Sequence, residues 1–511
     1  MASGEGGFRR RRVTPRSYRE RAASIAAVKR ILAVLAAAVG VLGGALVVNA
    51  LRASGGEPPP AAPAALAVDT TAVAARLAAA IAIPTVSTER GGPPAGELAR
   101  LRAHLAASYP RAFSNLVREE IAGGTLLLTW PGRDAALAPV VLLAHQDVVP
   151  VPPEAAASWS HPPFAGRLAG GFVWGRGALD DKTSLITLLE AVEALLAQGF
   201  RPARSVHLVF GHDEEVGGSG AAAAAELLAA RGARPALVLD EGLAITSGIA
   251  AGVARPVALI GVAEKGYASF ELVVEAAGGH SSMPPRETAI GILAAALARV
   301  TAEPLPARRD GPAFAMLDAL APAAPFGIRI VLANRWLFDP LLERRMAAAP
   351  ATDAMLRTTL APTIVEGGVK ENVLPPRARA VVNLRILPGD SLSWLEEELR
   401  RRIGDGRVRL TRLGAASEPS PVSDAGGWGF RVVARSVREI ERDAVVAPGL
   451  MIGATDARHF TGISDQVLRF QPVLLAPDDL PRFHGVDERI SIENLERAVR
   501  IYARLLENAA G

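Results

Sequence analysis

Val140-Val141-Leu142-Leu143-Ala144-His145-Gln146-Asp147 joins an apolar run of strand length to a histidine and a carboxylate. The pattern recurs. Val206 to Phe210 is a second run, followed by Glu214-Glu215 and Gly217-Gly218, and Ala236 to Leu239 is a third, followed by Asp240-Glu241-Gly242. Between the first two lies a stretch from Asp181 to Gln198 in which Leu185, Leu188, Leu189, Val192, Leu195 and Leu196 share one helical face, with Gly199 as the stop. Apolar strands alternating with amphipathic helices predict an α/β fold on a mostly parallel sheet. Ligands bind outside the carboxyl ends of the strands in open sheets of that kind. Three of the four acidic or histidine clusters come directly after a strand. The fourth, Asp180-Asp181, opens the helix after the turn Gly175-Arg176-Gly177.

Each cluster has an ordinary reading when taken alone. An Asp pair caps a helix, adjacent glutamates occupy a solvated loop, and a lone histidine is more often a hydrogen-bonded core residue than a ligand. Surface charge does not explain their convergence at one end of one sheet. None of the 511 residues is cysteine, which excludes disulfides, thiolate nucleophiles and cysteine-based metal sites. One histidine with a series of carboxylates is a hard-to-borderline donor set, and zinc suits it.

Half of the chain is hydrophobic and 21% is charged, which excludes a disordered or fibrous protein; the length predicts two or three domains. The net charge of +4 is concentrated at one end. Arg9, Arg10, Arg11, Arg12, Arg16, Arg19, Arg21, Lys29 and Arg30 face only Glu5 and Glu20 in residues 1–30, a basic tail. Of the 56 basic and 52 acidic residues, 47 and 50 lie beyond it, a net of −3. A net-acidic body excludes nucleic acid as the partner. Ile31 to Leu51 follows, with Asn49 as its one clearly polar member. About 20 such residues cross a bilayer as a helix. The basic flank is too long for a secretory signal, and no small-residue cleavage site closes the stretch. The arginines would stay in the cytoplasm, leaving the body on the periplasmic or extracellular side. Residues 52–65, with Pro58, Pro59 and Pro60, read as a semi-extended tether.

His145-x-Asp147, Gly175-Arg176-Gly177-Ala178-x-Asp180-Asp181-Lys182, Gly211-His212-Asp213-Glu214-Glu215-Val216-Gly217-Gly218 and Asp240-Glu241-Gly242 together resemble the co-catalytic dinuclear zinc metallopeptidases. That is the family of carboxypeptidase S, aminoacylase, succinyl-diaminopimelate desuccinylase and glutamate carboxypeptidase. The order of motifs continues through Gly279-His280-Ser281-Ser282, Gly368 to Pro376, Asn383-Leu384-Arg385, Gly453-Ala454-Thr455-Asp456 and Phe483-His484-Gly485-Val486-Asp487-Glu488. The resemblance thus covers the chain from about Leu66 to its C-terminus. It is nearest to the branch of carboxypeptidase S and N-fatty-acyl-amino-acid synthase/hydrolase, down to the loop from Trp159 to Phe164.

The resemblance implies a role for each matching residue. His145 and Asp240 would bind one zinc ion, Glu215 and His484 a second, and Asp180 would bridge the two ions of each subunit. Relatives use either Asp or Glu at the third strand; Asp240 is preferred because it comes first, with Glu241 the alternative. Glu214 would be the general base, Asp147 would orient the His145 ring, and the Asp180–Asp181 peptide would be cis. His280 would stabilise the oxyanion, reaching it across a homodimer formed through the lid. Asn372, Arg385 and Arg458 would grip a substrate carboxylate. His104, His161, His207, His212 and His459 are left as structural or surface.

The implied fold is a mixed-sheet α/β catalytic domain over residues 66–263 and 418–511. A smaller α/β sandwich lid would be inserted at 264–417, with strands from Ser269 to Glu275 and Arg379 to Ile386 and a helix from Ser391 to Ile403. Residues 310–360 exceed what a minimal lid needs and would shape an apolar acyl pocket. The implied reaction is zinc-dependent hydrolysis of an amide bond beside a free carboxylate, as a carboxypeptidase on small peptides. Hydrolysis or synthesis of N-acyl amino acids is the second reading. A membrane-tethered binding protein that has lost the chemistry is a third, and its signature, a missing Glu214 or ligand, is not found.

Overall fold

Runs of valine, leucine and phenylalanine unbroken by turn residues suit strands buried on both faces, and here they form the centre of an eight-stranded sheet. The computed structural model describes residues 15–55, 58–89, 91–248 and 252–511. The sheet runs in the order Val117–Ile121, Thr125–Trp130, Val206–Gly211, Val140–His145, Leu237–Thr246, Val467–Leu475, Val257–Glu264, Val445–Met451. The four central strands, from Val206–Gly211 to Val467–Leu475, are parallel. Val117–Ile121 and Thr125–Trp130 pair antiparallel at one edge, and Val257–Glu264 is antiparallel to Val467–Leu475. The sheet is therefore mixed, because the short turn after Ile121 can join only antiparallel neighbours.

The helix Lys182–Ala197 buries Leu185, Leu188, Leu189, Val192 and Leu195. With the C-terminal helix Ile492–Ala510 and the inward side chains of the strands, these residues form the main core. On the opposite face Ser219–Ala230 packs with Val141, Leu143, Val238 and Phe460. The third strand does not stop at Leu239, as its Asp-Glu-Gly sequence predicts. It runs on to Thr246, because pairing of Ala244 and Ile245 with Gln471 and Leu474 outweighs the local preference for a turn. Gly242, at φ +131°, brings the backbone close to Arg469, where the register with the neighbouring strand shifts.

A second sheet, entirely antiparallel, is ordered Thr359–Gly367, Arg377–Ile386, Gly266–Glu275, Val408–Ser417. Ala289–Thr301 and Leu392–Ile403 cover it, and Phe270, Leu272, Ile292, Leu384, Leu395 and Leu399 belong to a separate core. The chain passes between the sheets at Glu264-Lys265. The Glu264 carboxylate accepts from buried Arg469 (3.0 Å) and from the Thr455 hydroxyl (3.0 Å). Lys265 Nζ donates to the Ala354 and Arg357 carbonyls, both at 2.9 Å, and burial pulls it down to about 8.

The helices Pro312–Leu320, Phe326–Leu332, Arg335–Met346 and Pro350–Leu356 stay out of the second sheet's core. Leu320 instead packs with Val253, Val257 and Ala447, against the edge of the first sheet. Pro15–Arg52 is one continuous helix, and Ala23–Arg52 is long and apolar enough to cross a membrane. It starts well before Ile31, since the alanine-rich residues ahead of it are strong helix formers. Residues 1–14 of the basic tail and 56–57 of the tether lie outside the described residues. Residues 58–65 have no regular structure and lie along the body, where Arg438 and Arg442 donate to the Pro58 and Pro60 carbonyls.

Candidate active site

His145 closes its strand and is buried. Its Nδ1 lies 3.0 Å from the Asp147 carbonyl oxygen, which can only accept, so Nδ1 carries the proton of the neutral ring. Nε2 then presents a lone pair to Asp180 Oδ1 at 2.9 Å. Two acceptors facing each other are the donor geometry of a cation site. In the absence of a cation, Asp147 and Asp180 hold the ring well above the usual histidine range although burial opposes the charge. Asp180, joined to Asp181 by a cis peptide, turns Oδ2 to His484 Nε2 at 3.1 Å. His484 Nε2 is also 3.4 Å from Glu215 Oε2, and Glu215 Oε1 is buried with no partner among the described residues. Two groups result: His145, Asp180 and Glu241, and Asp180, Glu215 and His484. Within each, the ligand atoms lie within 4.8 Å of one another, and Asp180 is common to both. These imidazole and carboxylate donors fit metal ions of the zinc type.

The third strand brings Glu241, the alternative, into the first group and leaves the preferred Asp240 outside it. Asp240 accepts from its neighbour Glu241 N (2.9 Å) and from Ala457 N (2.7 Å), so both its oxygens are engaged by backbone. Alternation along the strand decides this. Val238 and Asp240 face the layer of Ala457 and Phe460, whereas Leu239 and Glu241 face the side of the Lys182–Ala197 helix, whose start carries Asp180.

Glu214 opens a single 3-10 turn, Glu214–Val216. Its amide donates to Asp147 Oδ1 (3.1 Å) and the Glu215 amide to Asp147 Oδ2 (3.2 Å), which also accepts from Ser87 Oγ at 2.6 Å. Asp147 thus orients the His145 ring and the glutamate turn together. Burial opposes its ionisation, but His145, Ser87 and the Glu215 amide hold its carboxyl below the usual range. Burial pushes Glu214 well above the usual range; His145 pulls against this, and Asp456, Glu215 and Asp180 add to it.

Some of this apparatus is assembled only by the fold. Glu488 Oε1 accepts from the amides of Gly177 (3.0 Å), Leu179 (2.7 Å) and Asp180 (3.2 Å). Arg176 donates to Glu488 Oε2 (2.6 Å) and to the His484 carbonyl (3.0 Å), tying the loop of Asp180 to the loop of His484. Both residues stand inside the quoted motifs, but a pairing across 312 positions shows only in three dimensions. Asp456 is buried with neither oxygen partnered among the described residues. Gly218, at φ +68°, leaves it room; a Cβ there would collide with Asp456 Oδ1 and come within 3.1 Å of His459 Nε2. His459 therefore sits beside the site, whereas His104, His207 and His212 hydrogen-bond to Arg76, Thr129 and Thr125.

The remaining candidates divide. Arg458 donates to the Gly217 carbonyl at 2.9 Å, beside the glutamate turn. The other three are on the second sheet or its loops. His280 is exposed, in a two-residue strand pairing with Val373–Leu374. The Ser282 amide donates to its Nδ1 at 3.1 Å, which leaves the proton on Nε2. Asn372 is exposed, and its carbonyl accepts from Ser281. The Arg385 guanidinium stacks 4.9 Å above the Tyr267 ring.

Residues 141–508 match the model of peptidase family M20/M25/M40. The chain belongs to this family. The M20 chain is 41% identical over 438 residues to the N-fatty-acyl-amino acid synthase/hydrolase PM20D1 of Xenopus tropicalis, covering 85% of each. It is 38% identical over 415 residues to the probable carboxypeptidase S-like 2 of Dictyostelium discoideum (81% of this chain, 79% of that one). It is 31% identical over 469 residues to carboxypeptidase S of Saccharomyces cerevisiae (82% and 80%). Its fold is similar to the M20 family metallo-carboxypeptidase Sso-CP2 from Sulfolobus solfataricus, with a TM-score of 0.64 at 17% identity over 87% of this chain and 99% of that one. As a member of M20 the protein is a metal-dependent hydrolase, and the His–carboxylate cluster is its candidate metal centre.

Proposed function

We propose that this protein hydrolyses an amide bond adjacent to a free carboxylate, as a carboxypeptidase on small peptides. It would hold two zinc ions, one by His145, Asp180 and Glu241 and one by Asp180, Glu215 and His484. One observation carries the reading: two donor groups share Asp180 beside Glu214, a half-buried glutamate that belongs to neither. The ions would polarise the scissile carbonyl and acidify a water. Glu214 would take a proton from the attacking water and deliver it to the leaving nitrogen, a task that suits a carboxyl whose pKa is raised. Asp147 would keep Glu214 and His145 in register. His280, with its proton on Nε2, would donate to the oxyanion of a second subunit across a lid-mediated homodimer. Asn372, Arg385 and Arg458 are the candidates for the substrate carboxylate. The catalytic body would be residues 66–263 and 418–511, with the lid at 264–417. The Pro15–Arg52 helix would anchor the body outside the cytoplasm, its arginine-rich end inside.

N-acyl amino acids are the second reading. It draws on the 41% identity to a synthase/hydrolase of that class, slightly above the 38% to a probable carboxypeptidase S-like protein. The full-length protein in detergent, loaded with zinc, would be offered dipeptides, N-acetyl amino acids and long-chain N-acyl amino acids, with products resolved by mass. Dipeptide turnover that vanishes in Glu214→Gln supports the carboxypeptidase, and a preference for long acyl chains moves the assignment to the second reading. Zinc binding without turnover of any of them would reject the mechanism in favour of a binding protein.

A further inference from the structure

A helix that crosses a bilayer leaves it at a depth set by its length, and here the body meets the helix before that depth is reached. Asn334 Nδ2 donates to the Leu46 carbonyl at 3.0 Å, Asn49 Nδ2 donates to Asn334 Oδ1 at 2.8 Å, and Ala50 and Asn334 are fully buried. Residues 23–45 are exposed throughout. Only residues 31–45 separate Arg30 from the first contact with the body, about 22 Å of helix. The hydrocarbon core is about 30 Å thick. Placing the apolar stretch across it brings the contact surface on the body down to the membrane.

That surface has the chemistry for the position. Phe326–Leu332 and Arg335–Met346 flank the contact, and Phe326, Ile328, Trp336, Leu337 and Leu341 are exposed, Trp336 by 65%. On Arg335–Met346, Trp336, Pro340 and Arg344 recur every fourth residue, and so do Leu337, Leu341 and Arg345. One helical face therefore presents apolar side chains and then two exposed arginines. Trp336 lines the same cavity as Asn49, Arg52 and Ala53, where the helix ends. Tryptophan favours the bilayer interface, and arginine reaches from it to phosphate groups.

We propose that Phe326–Met346 is a second membrane contact, seated in the headgroup layer of a phospholipid bilayer beside the emerging helix. It holds the body against the membrane in one orientation. This rests on the reading of Pro15–Arg52 as an anchor. The chain has no cysteine, so single substitutions can carry a fluorophore without background. The full-length protein, reconstituted in phosphatidylcholine–phosphatidylglycerol vesicles, would be labelled at Leu337→Cys, Leu341→Cys, Val39→Cys in the span and Val365→Cys on the second sheet. The expected result is quenching of the 337 and 341 probes by lipid spin-labelled near the headgroup, with iodide quenching severalfold weaker than at 365. The probe at 39 would be quenched by lipid labelled deep in the acyl chain. Iodide access at 337 and 341 equal to that at 365, with 39 still quenched by lipid, would overturn the proposal and leave the anchor standing. Iodide access at 39 would reject the anchor and the proposal with it. Shielding at 337 and 341 that persists in detergent and grows with protein concentration, without quenching by lipid, would assign the face to a second copy and also overturn the proposal.

Discussion

Two adjacent carboxylates on one strand have different fates. Glu241 points to Asp180 and His145, and Asp240 is consumed by two backbone amides. Glu241→Gln is accordingly expected to lose one zinc equivalent by atomic absorption, and Asp240→Asn to retain both; the opposite pattern would return Asp240 to the ligand set. Glu214→Gln should keep its metal while turnover falls by about 10²- to 10⁴-fold, the range that a positioned acid–base group supplies. His207 offers a measurement independent of the metal. Burial, with Arg231 nearby, pulls it down to about 4, from about 6.5 in an unfolded chain. Between those values the unfolded chain takes up a proton and the native one does not. Stability is therefore lost as pH falls from 6.5 towards 4, by about 2 kcal/mol once partial exposure is allowed for. Denaturant unfolding of His207→Gln, which can keep the bond to Thr129, should lack that slope. An unchanged slope would mean that other groups set the acid limit.

At the scale of elements, the loops of Asp180 and His484 are held together by a buried ion pair. Glu488 is fully buried and Arg176 nearly so. Arg176→Ala strands a carboxylate and Glu488→Ala strands a guanidinium and three amides, so each should cost about 3–5 kcal/mol in denaturant unfolding. Metal occupancy should fall too, because Asp180 and His484 lose their common support. A change below about 1 kcal/mol in both variants, the size of a surface pair, would show that the pair is dispensable. The sequence marks where these loops are, because Gly175-Arg176-Gly177 and Asp487-Glu488 lie in recognisable motifs. It does not mark their pairing. The length of the third strand was hidden as well, because Asp-Glu-Gly has the composition of a turn and becomes strand only beside its neighbours.

For the whole molecule, the candidate metal centre joins segments from residue 145 to residue 484. Ions bound only by the folded chain stabilise it by mass action, about 2.7 kcal/mol at a hundredfold excess over Kd. A chelator should therefore lower the Tm and abolish turnover, and added zinc should restore both. A Tm indifferent to chelation would place the metal outside the fold's support. Residues 310–360 read in the sequence as an extension that would shape an apolar acyl pocket. Its helices pack on the edge of the first sheet and on the end of the Pro15–Arg52 helix.

The sequence by itself determined the strands and helices with strong periodicity, the apolar N-terminal helix, and the positions of most residues that the fold gathers in the His–carboxylate cluster. In these the information is local: an apolar run makes a buried strand, and a histidine or carboxylate just past it lies at the ligand-binding end of the sheet. Three things were decided only by tertiary structure. Which of Asp240 and Glu241 turns towards the cluster depends on which face of the strand meets the Asp180 loop. The bracing of that loop by Arg176 and Glu488 depends on contacts between residues 312 positions apart. The seat of the 310–360 helices depends on which apolar edge is left open once the sheet has closed. Each is a choice among residues of equal chemical competence, and neighbours distant in the chain make it, through burial and through the backbone groups that each side chain must satisfy.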